Sequence, residues 1–314
     1  MKTLVKQETT VLKKKSIWSK MASQWELYVF LLPAMIFLFV FAYGPMYGLM
    51  LAFKDYSPMK GIWGSPWVGF EHFIRFFTLP SCREIIWNTV QISLFLTLFS
   101  FPIPIVFALL LHQVDCKWFK KTVQNATYIP YMFSVVIIIS IAQIFCSPTS
   151  GVLNIIGEAL GGERINFFAD EKYVFPIYFV TSIWQTMGYS AVIYLAALSG
   201  IDMEQMEAAK IDGANRFRII WNIELPAIAE TVIIMLIMNF GNVFTVSADK
   251  MLLMQNSANL GASEVLTTYV YKVGLIDGQF GFSTAVNLFN TLVNVVCVLI
   301  VNKIAGAVSD TSLF

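Results

Sequence analysis

The chain has 314 residues, 57% hydrophobic and only 13% charged, with a formal net charge of +1. Soluble domains carry about 25% charged residues, so this composition excludes a soluble globular protein and makes lipid the solvent of most of the chain. The near-zero charge leaves no basic surface for nucleic acid, and four cysteines without CxxC spacing (Cys82, Cys116, Cys146, Cys297) and two distant histidines (His72, His112) form no metal-ligand pattern.

Residues 1–26 include six lysines, among them Lys13, Lys14 and Lys15, and read as a disordered cytoplasmic tail. The apolar stretch that follows, 27–53, exceeds the roughly 7–15 residues of a signal-peptide core and predicts an uncleaved span. At about 20 apolar residues per spanning helix, six stretches qualify: 27–53, 86–111, 127–146, 173–200, 227–246 and 281–305. The expected fold class is therefore an all-α integral membrane protein with six transmembrane helices. An even number puts both termini on one side, and the lysine-rich tail makes that side the cytoplasm. Lys and Arg number 13 on that side and 8 on the other.

Between the first two spans, 54–85 is rich in aromatics, Gly and Pro. It reads as an outer loop with a short amphipathic helix at Phe70–Phe77, the alternative being a simple aromatic belt. Pro102 and Pro104 inside the second span predict a kinked helix, tolerated where neighbours or a lined cavity satisfy the freed backbone groups. The four cysteines are read as packing residues.

Between the fourth and fifth spans, 201–226 is a polar island. Asp202 can cap a helix, with Gln205 completing a capping box. Met203, Met206 and Ala209, with Ala208 beside them, give that helix a small apolar face. Asp212-Gly213 ends it, Gly213 suiting a left-handed backbone angle. A second helix carries Phe217, Ile220 and Trp221 at helical spacing, and Pro226 opens the next span, where its missing N–H costs nothing. A plain connector needs only a few residues. Two helices with a small-residue knob, Ala208-Ala209, suit close approach by another protein.

Glu207-Ala208-Ala209, three residues, Gly213, nine residues, Ile223, one residue, Leu225-Pro226 resembles the EAA loop of ATP-binding-cassette importer permeases at all seven fixed positions. The stretches "YGPMYGLMLAFKDYSP" (43–58), "WVGFEHF" (67–73), "WNTV" (87–90) and "ATYIPYMFSVVIIIS" (126–140) are similar to the carbohydrate branch of that superfamily, most of all to the permeases for complex oligosaccharides. The resemblance implies a type I ABC importer permease fold over 27–306, with 201–226 as a cytoplasmic coupling loop and 307–314 as a cytoplasmic tail. It also implies partners: a second homologous permease, an ATPase dimer that binds the ATP and magnesium, and an extracytoplasmic solute-binding protein. Glu207, Ala208, Ala209, Asp212 and Gly213 would form the turn that docks on the ATPase, with Ile223, Leu225 and Pro226 anchoring it to the fifth span. Arg216 and Arg218 are expected at the lipid headgroups, acidic groups of the ATPase being the alternative.

The chain itself has no G-x-x-x-x-G-K-[ST] phosphate loop, so no ATPase site and no bound cofactor are expected of it. The rival reading, an ion-coupled secondary transporter, wants ionisable residues inside the spans; there are almost none, Glu230 and Lys303 sitting near cytoplasmic ends. An uncharged pore with amides and aromatics suits a neutral polyhydroxy solute. Three polar stripes are candidates for it: Asn287, Asn290 and Asn294 in the last span; Asn239 and Asn242 beside Phe240 and Phe244 in the fifth; and Thr181, Gln185 and Tyr189 with Trp184 in the fourth. The alternative role of such amides is to stitch membrane helices together.

Overall fold

The computed structural model describes residues 23–308, with side chains to 307; most of the lysine-rich tail, residues 1–22, and residues 309–314 lie outside the described residues. Among the described residues every regular element is a helix, apart from an isolated antiparallel bridge between Lys54 and Trp67. The main helices are α1 (Trp25–Phe53), α2 (Glu71–Thr78), α3 (Cys82–His112), α4 (Lys117–Met132), α5 (Val135–Phe145), α6 (Val152–Ala159), α7 (Glu171–Leu198), α8 (Met203–Ile211), α9 (Arg216–Ala227), α10 (Ala229–Phe240), α11 (Ala248–Met254), α12 (Leu266–Tyr271) and α13 (Phe280–Val308).

The chain divides into two compact units at Met50–Leu51. The first is the apolar helix that begins at Trp25, whose Trp25–Leu38 part carries Pro33 and buries none of its residues within the unit. The second holds the rest. Among the described residues three helices, α1, α3 and α13, are long and apolar enough to cross a membrane, and the number rises to as many as five if each of two bent pairs is one span. Helix α7 has 28 residues, the length of the expected fourth span. Its polar residues, Thr181, Ser182, Gln185 and Thr186 among them, leave it less apolar than those three.

The bends depart from the six straight stretches read in the sequence. Where 127–146 reads as one span, α4 and α5 meet at 104°. Pro130 closes a 3₁₀ turn, Phe133 is extended at φ −79° and ψ 141°, and Ser134 Oγ accepts from Ile137 N at 3.4 Å to start α5 as a new helix. Where 227–246 reads as one span, α9 and α10 meet at 63° at Ile228, and α10 stops at Phe240. Its 12 residues cover about 18 Å, short of a hydrocarbon core of about 30 Å. By contrast α3 runs through Pro102 without a break, because a π-helical turn at Leu96–Ser100 absorbs the missing bond.

Three apolar clusters hold the second unit together. Ile92, Ile139, Tyr178, Val246 and Met251 join α3, α5, α7 and α11. Phe76, Ile85, Leu266 and Phe282 join α2, α3, α12 and α13. Ile105, Ala108, Ala191, Leu198 and Ile228 join the ends of α3 and α7 to the α9–α10 junction. The amphipathic helix expected at Phe70–Phe77 is α2, and it buries Phe76 in protein, its ring 6.1 Å from Phe289 and 6.5 Å from Phe282, while Phe70, Ile74 and Phe77 stay exposed. Cys82 and Cys146 are buried as packing residues, but Cys116 is exposed just before α4.

Candidate functional site

The island folds as two helices hinged at one glycine. Asp202 Oδ1 accepts from Glu204 N at 2.9 Å, so the cap falls on the second helical residue, and Gln205 does not complete a capping box. Helix α8 ends with Gly213 at φ +81°. Ala214 N donates to Ala209 O at 2.9 Å and Gly213 N to Lys210 O at 3.1 Å, the paired bonds of a Schellman ending. Asn215 Oδ1 then caps α9 through Arg218 N at 2.8 Å.

Met206 and Ile219 point inward, 6% and 1% exposed. Glu207, Ala208, Asp212 and Gly213 are exposed, and Ala209 is half-buried. Of the apolar residues at helical spacing in α9, Phe217 and Trp221 are exposed, as is Ile211 of α8. Large apolar side chains, Ile211, Phe217 and Trp221, thus stand exposed around the turn. Arg216 lies 3.2 Å from Asp115 in an exposed pair, which contributes little.

The root of the loop is packed into the protein. Leu225 packs on the cluster around Ile228, and Ile223 is half-buried, whereas Pro226 is exposed. Between them Glu224 is fully buried. Its Oε1 accepts from Gln113 Nε2 at 2.7 Å and bonds His112 Nδ1, tying the loop to the end of α3. Sequence reading missed this clasp. Its signal was a lone acid between anchor positions and a histidine–glutamine pair closing a long apolar helix.

Beyond α10 the backbone from Gly241 to Ser247 is irregular, and side chains from three helices satisfy it. Phe244 N donates to Asn294 Oδ1 at 2.9 Å, Thr267 Oγ1 to Val246 O at 2.8 Å, and Ser247 N to the Tyr178 hydroxyl at 3.0 Å. Irregular backbone in a lipid-facing protein is tolerated where it is buried in protein or lines a cavity. Here it does both. A cavity of about 500 Å³ is bounded by Gly241, Asn242 and Thr245 on one side and by Asn287, Asn290, Thr291 and Asn294 of α13 on the other, with Thr267 between. No charged residue lines it. Asn290 is 5% exposed, and its Oδ1 has no hydrogen-bond partner, an acceptor left open beside the space. Asn294 is engaged at both ends, its Nδ2 reaching Thr245 Oγ1 at 3.2 Å, so it stitches the helices.

The structure thus brings together Asn242, Asn287, Asn290 and Asn294 from the predicted stripes. Asn239 and Phe240 lie outside the cavity, because the helix ends between them and Asn242. The α7 residues are elsewhere. Trp184 and Thr181 line an apolar cavity of about 440 Å³ with Ile138, Phe145 and Leu153. Gln185 Nε2 donates to Phe133 O at 3.3 Å, across the α4–α5 break. Tyr189 stacks on Tyr131 with centroids 3.9 Å apart. Gly188 is required there, since a Cβ would stand 2.3 Å from Thr127 O. One charge falls beside these groups and was not singled out in the sequence: Lys250 of α11, 3% exposed, with Nζ 2.9 Å from Ser182 Oγ. Burial pushes its ammonium down to about 7.

Residues 93–309, which include both the loop and the cavity, match the family described as "Binding-protein-dependent transport system inner membrane component". The chain belongs to this family. It is a permease of the membrane part of such a system. Among curated relatives, the polygalacturonan/rhamnogalacturonan transport system permease protein YteP of Bacillus subtilis is 40% identical over 303 residues, covering 96% of this chain and 94% of that one. Among solved structures, a bacterial alginate ABC transporter in complex with an alginate-pentasaccharide-bound periplasmic protein contains a chain similar at TM-score 0.87 and 32% identity, over 95% of this chain and 100% of that one. A second structure, of a bacterial ABC transporter involved in the import of the acidic polysaccharide alginate, gives TM-score 0.86 and 33% identity over 94% and 100%. The fold is therefore that of a type I ABC importer permease.

Proposed function

We propose that this permease is the pore-forming subunit of an ATP-driven importer of sugars or oligosaccharides. The observation that carries the substrate class is the cavity in which the amides and hydroxyls of Asn242, Asn287, Asn290, Thr245, Thr267 and Thr291 share the wall with the aliphatic Val295, Val298 and Leu299, without a charge. Amides donate to and accept from sugar hydroxyls, and the open Asn290 acceptor is suited to one. The relatives named for polygalacturonan/rhamnogalacturonan and for alginate support the same class.

In this reading six spans cross the membrane with both termini in the cytoplasm, the bent pairs α4–α5 and α9–α10 each serving as one span and α7 as another. A solute-binding protein delivers the sugar from outside to a pore shared with a second, homologous permease. The turn Glu207-Ala208-Ala209 to Gly213 seats in an ATPase dimer, which holds the ATP and magnesium; the permease chain carries no nucleotide site of its own. Closure of the ATPases moves the turn as a rigid body, and the Glu224 clasp passes that motion to α3. The stacked Tyr131–Tyr189 pair and Gln185 offer a second, aromatic surface for sugar rings. An ion-coupled mechanism is not favoured, since a transport system of this family depends on a binding protein.

The test is uptake by the reconstituted complex carrying Asn242→Leu and Asn290→Leu. Uptake falls about tenfold or more, as expected for the loss of hydrogen bonds worth about 0.5–1.5 kcal/mol each, while assembly is retained. Unchanged uptake with intact assembly removes the cavity from the sugar route. Asn294→Leu behaves differently and lowers the melting temperature of the complex, because it frees Phe244 N.

A further inference from the structure

We propose that Lys250 is a counter-charge for carboxylate groups of the transported sugar, so that this permease carries an acidic oligosaccharide. The inference rests on the carbohydrate reading above and adds the charge of the substrate.

Lys250 has neutral partners. Its Nζ donates to Ser182 Oγ at 2.9 Å and stands 5.3 Å from the centroid of the Tyr178 ring. The ion pairs among the described residues are His112–Glu224, Arg164–Glu158, Arg216–Asp115 and Lys272–Glu264, and Lys250 is in none of them. A buried ammonium with no counter-charge is costly, and a carboxylate placed beside it would offset that cost. The other buried lysine, Lys54, differs: its Nζ is fixed on Ile62 O at 2.7 Å beside the Trp67 ring, as a clasp for the outer loop.

Position supplies the second argument. Ser182, which holds the ammonium, shares one face of α7 with Gln185 and Tyr189, at spacings of three and seven residues. Five residues before Lys250, Thr245 lines the amide cavity. Ser247, between them, is held by Tyr178, the residue under the ammonium. Lys250 is thus held on the α7 polar face through Ser182, and the segment that carries it is tied to α7 by the Tyr178–Ser247 bond. Its flexible four-carbon stem lets Nζ leave a hydroxyl, which binds it weakly, for a carboxylate, which binds it strongly. The cavity wall recognises hydroxyls and the lysine recognises acid.

The test is equilibrium binding of a galacturonate trisaccharide and of its methyl ester to the complete permease–ATPase complex in nanodiscs, without the binding protein, so that delivery does not enter. The wild type binds the acid about tenfold tighter than the ester, the size of one hydrogen bond between charged groups. Lys250→Gln loses that preference by weakening acid binding about tenfold while ester binding stays within twofold, and Lys250→Arg retains it. Lys250→Met, which keeps the volume of the stem, gives the same pattern if the glutamine variant does not assemble. Equal binding of acid and ester by the wild type overturns the proposal and leaves the carbohydrate reading standing; binding of neither overturns both. Equal losses for acid and ester in the variants make Lys250 a packing residue and also overturn it.

Discussion

Gly213→Pro abolishes ATP-driven transport and leaves the chain folded in the membrane. Gly213 sits at φ +81°, and proline holds φ near −65°, so the turn between α8 and α9 cannot keep its shape. Proline also removes the N–H that donates to Lys210 O at 3.1 Å. The damage is confined to the backbone, because a Cβ at this position meets nothing within 4 Å. The neighbouring residues Asp212 and Asn215 are exposed, so the buried clusters are untouched and the melting temperature of the membrane unit moves little. Gly213→Ala gives an intermediate loss, since a left-handed angle costs a side-chain-bearing residue about 1–2 kcal/mol. Uptake and ATP hydrolysis in proteoliposomes read the result. Wild-type uptake by the proline variant removes the turn from the coupling path.

Glu224→Ala acts by the opposite route, through stability. Glu224 is fully buried and accepts from both Gln113 and His112. Alanine leaves two donors at the end of α3 without an acceptor, at about 1–3 kcal/mol for each buried group left unpaired. The complex melts several degrees lower, and the uptake per ATP hydrolysed falls because the loop is no longer tied to α3. Glu224→Gln keeps the acceptor oxygen and the shape, and falls much less. Arg216→Ala is the control: its pair with Asp115 is 70% and 85% exposed and its loss stays within about 0.5 kcal/mol. If Glu224→Ala and Arg216→Ala melt alike, the clasp does not hold the loop.

The parts of this fold that were legible in the sequence are the local ones. Asp202 as a cap, Gly213 as a left-handed stop and the long apolar runs of α1, α3 and α13 each follow from the residue and its neighbours in sequence. The bends at Ser134 and Ile228 were not legible, because a run of apolar residues has the same hydropathy whether it is straight or broken. Hydropathy also carried the fifth span on to residue 246, whereas the helix stops at Phe240 and Asn294, Thr267 and Tyr178 take over its backbone bonds. Those partners lie 21 to 69 residues away, beyond any local pattern. The same cause split the predicted sugar residues. Helical spacing linked Asn239 to Asn242, but the helix end between them points only Asn242 at the α13 asparagines. Glu224 and Lys250 escaped notice because each looks like one more polar residue in a polar segment, and only burial separates them from solvated charges.

Coupled transport requires that the Met203–Pro226 loop connect this chain to an ATPase. The most direct measurement is purification of the tagged protein from its native membrane, with identification of everything that accompanies it, beside a variant carrying Glu207→Lys and Gly213→Pro. The expected result is that an ATPase and a second permease accompany the wild type, and that the variant keeps the permease and loses the ATPase. A wild-type protein that emerges without an ATPase, under conditions that keep other membrane complexes whole, would contradict it.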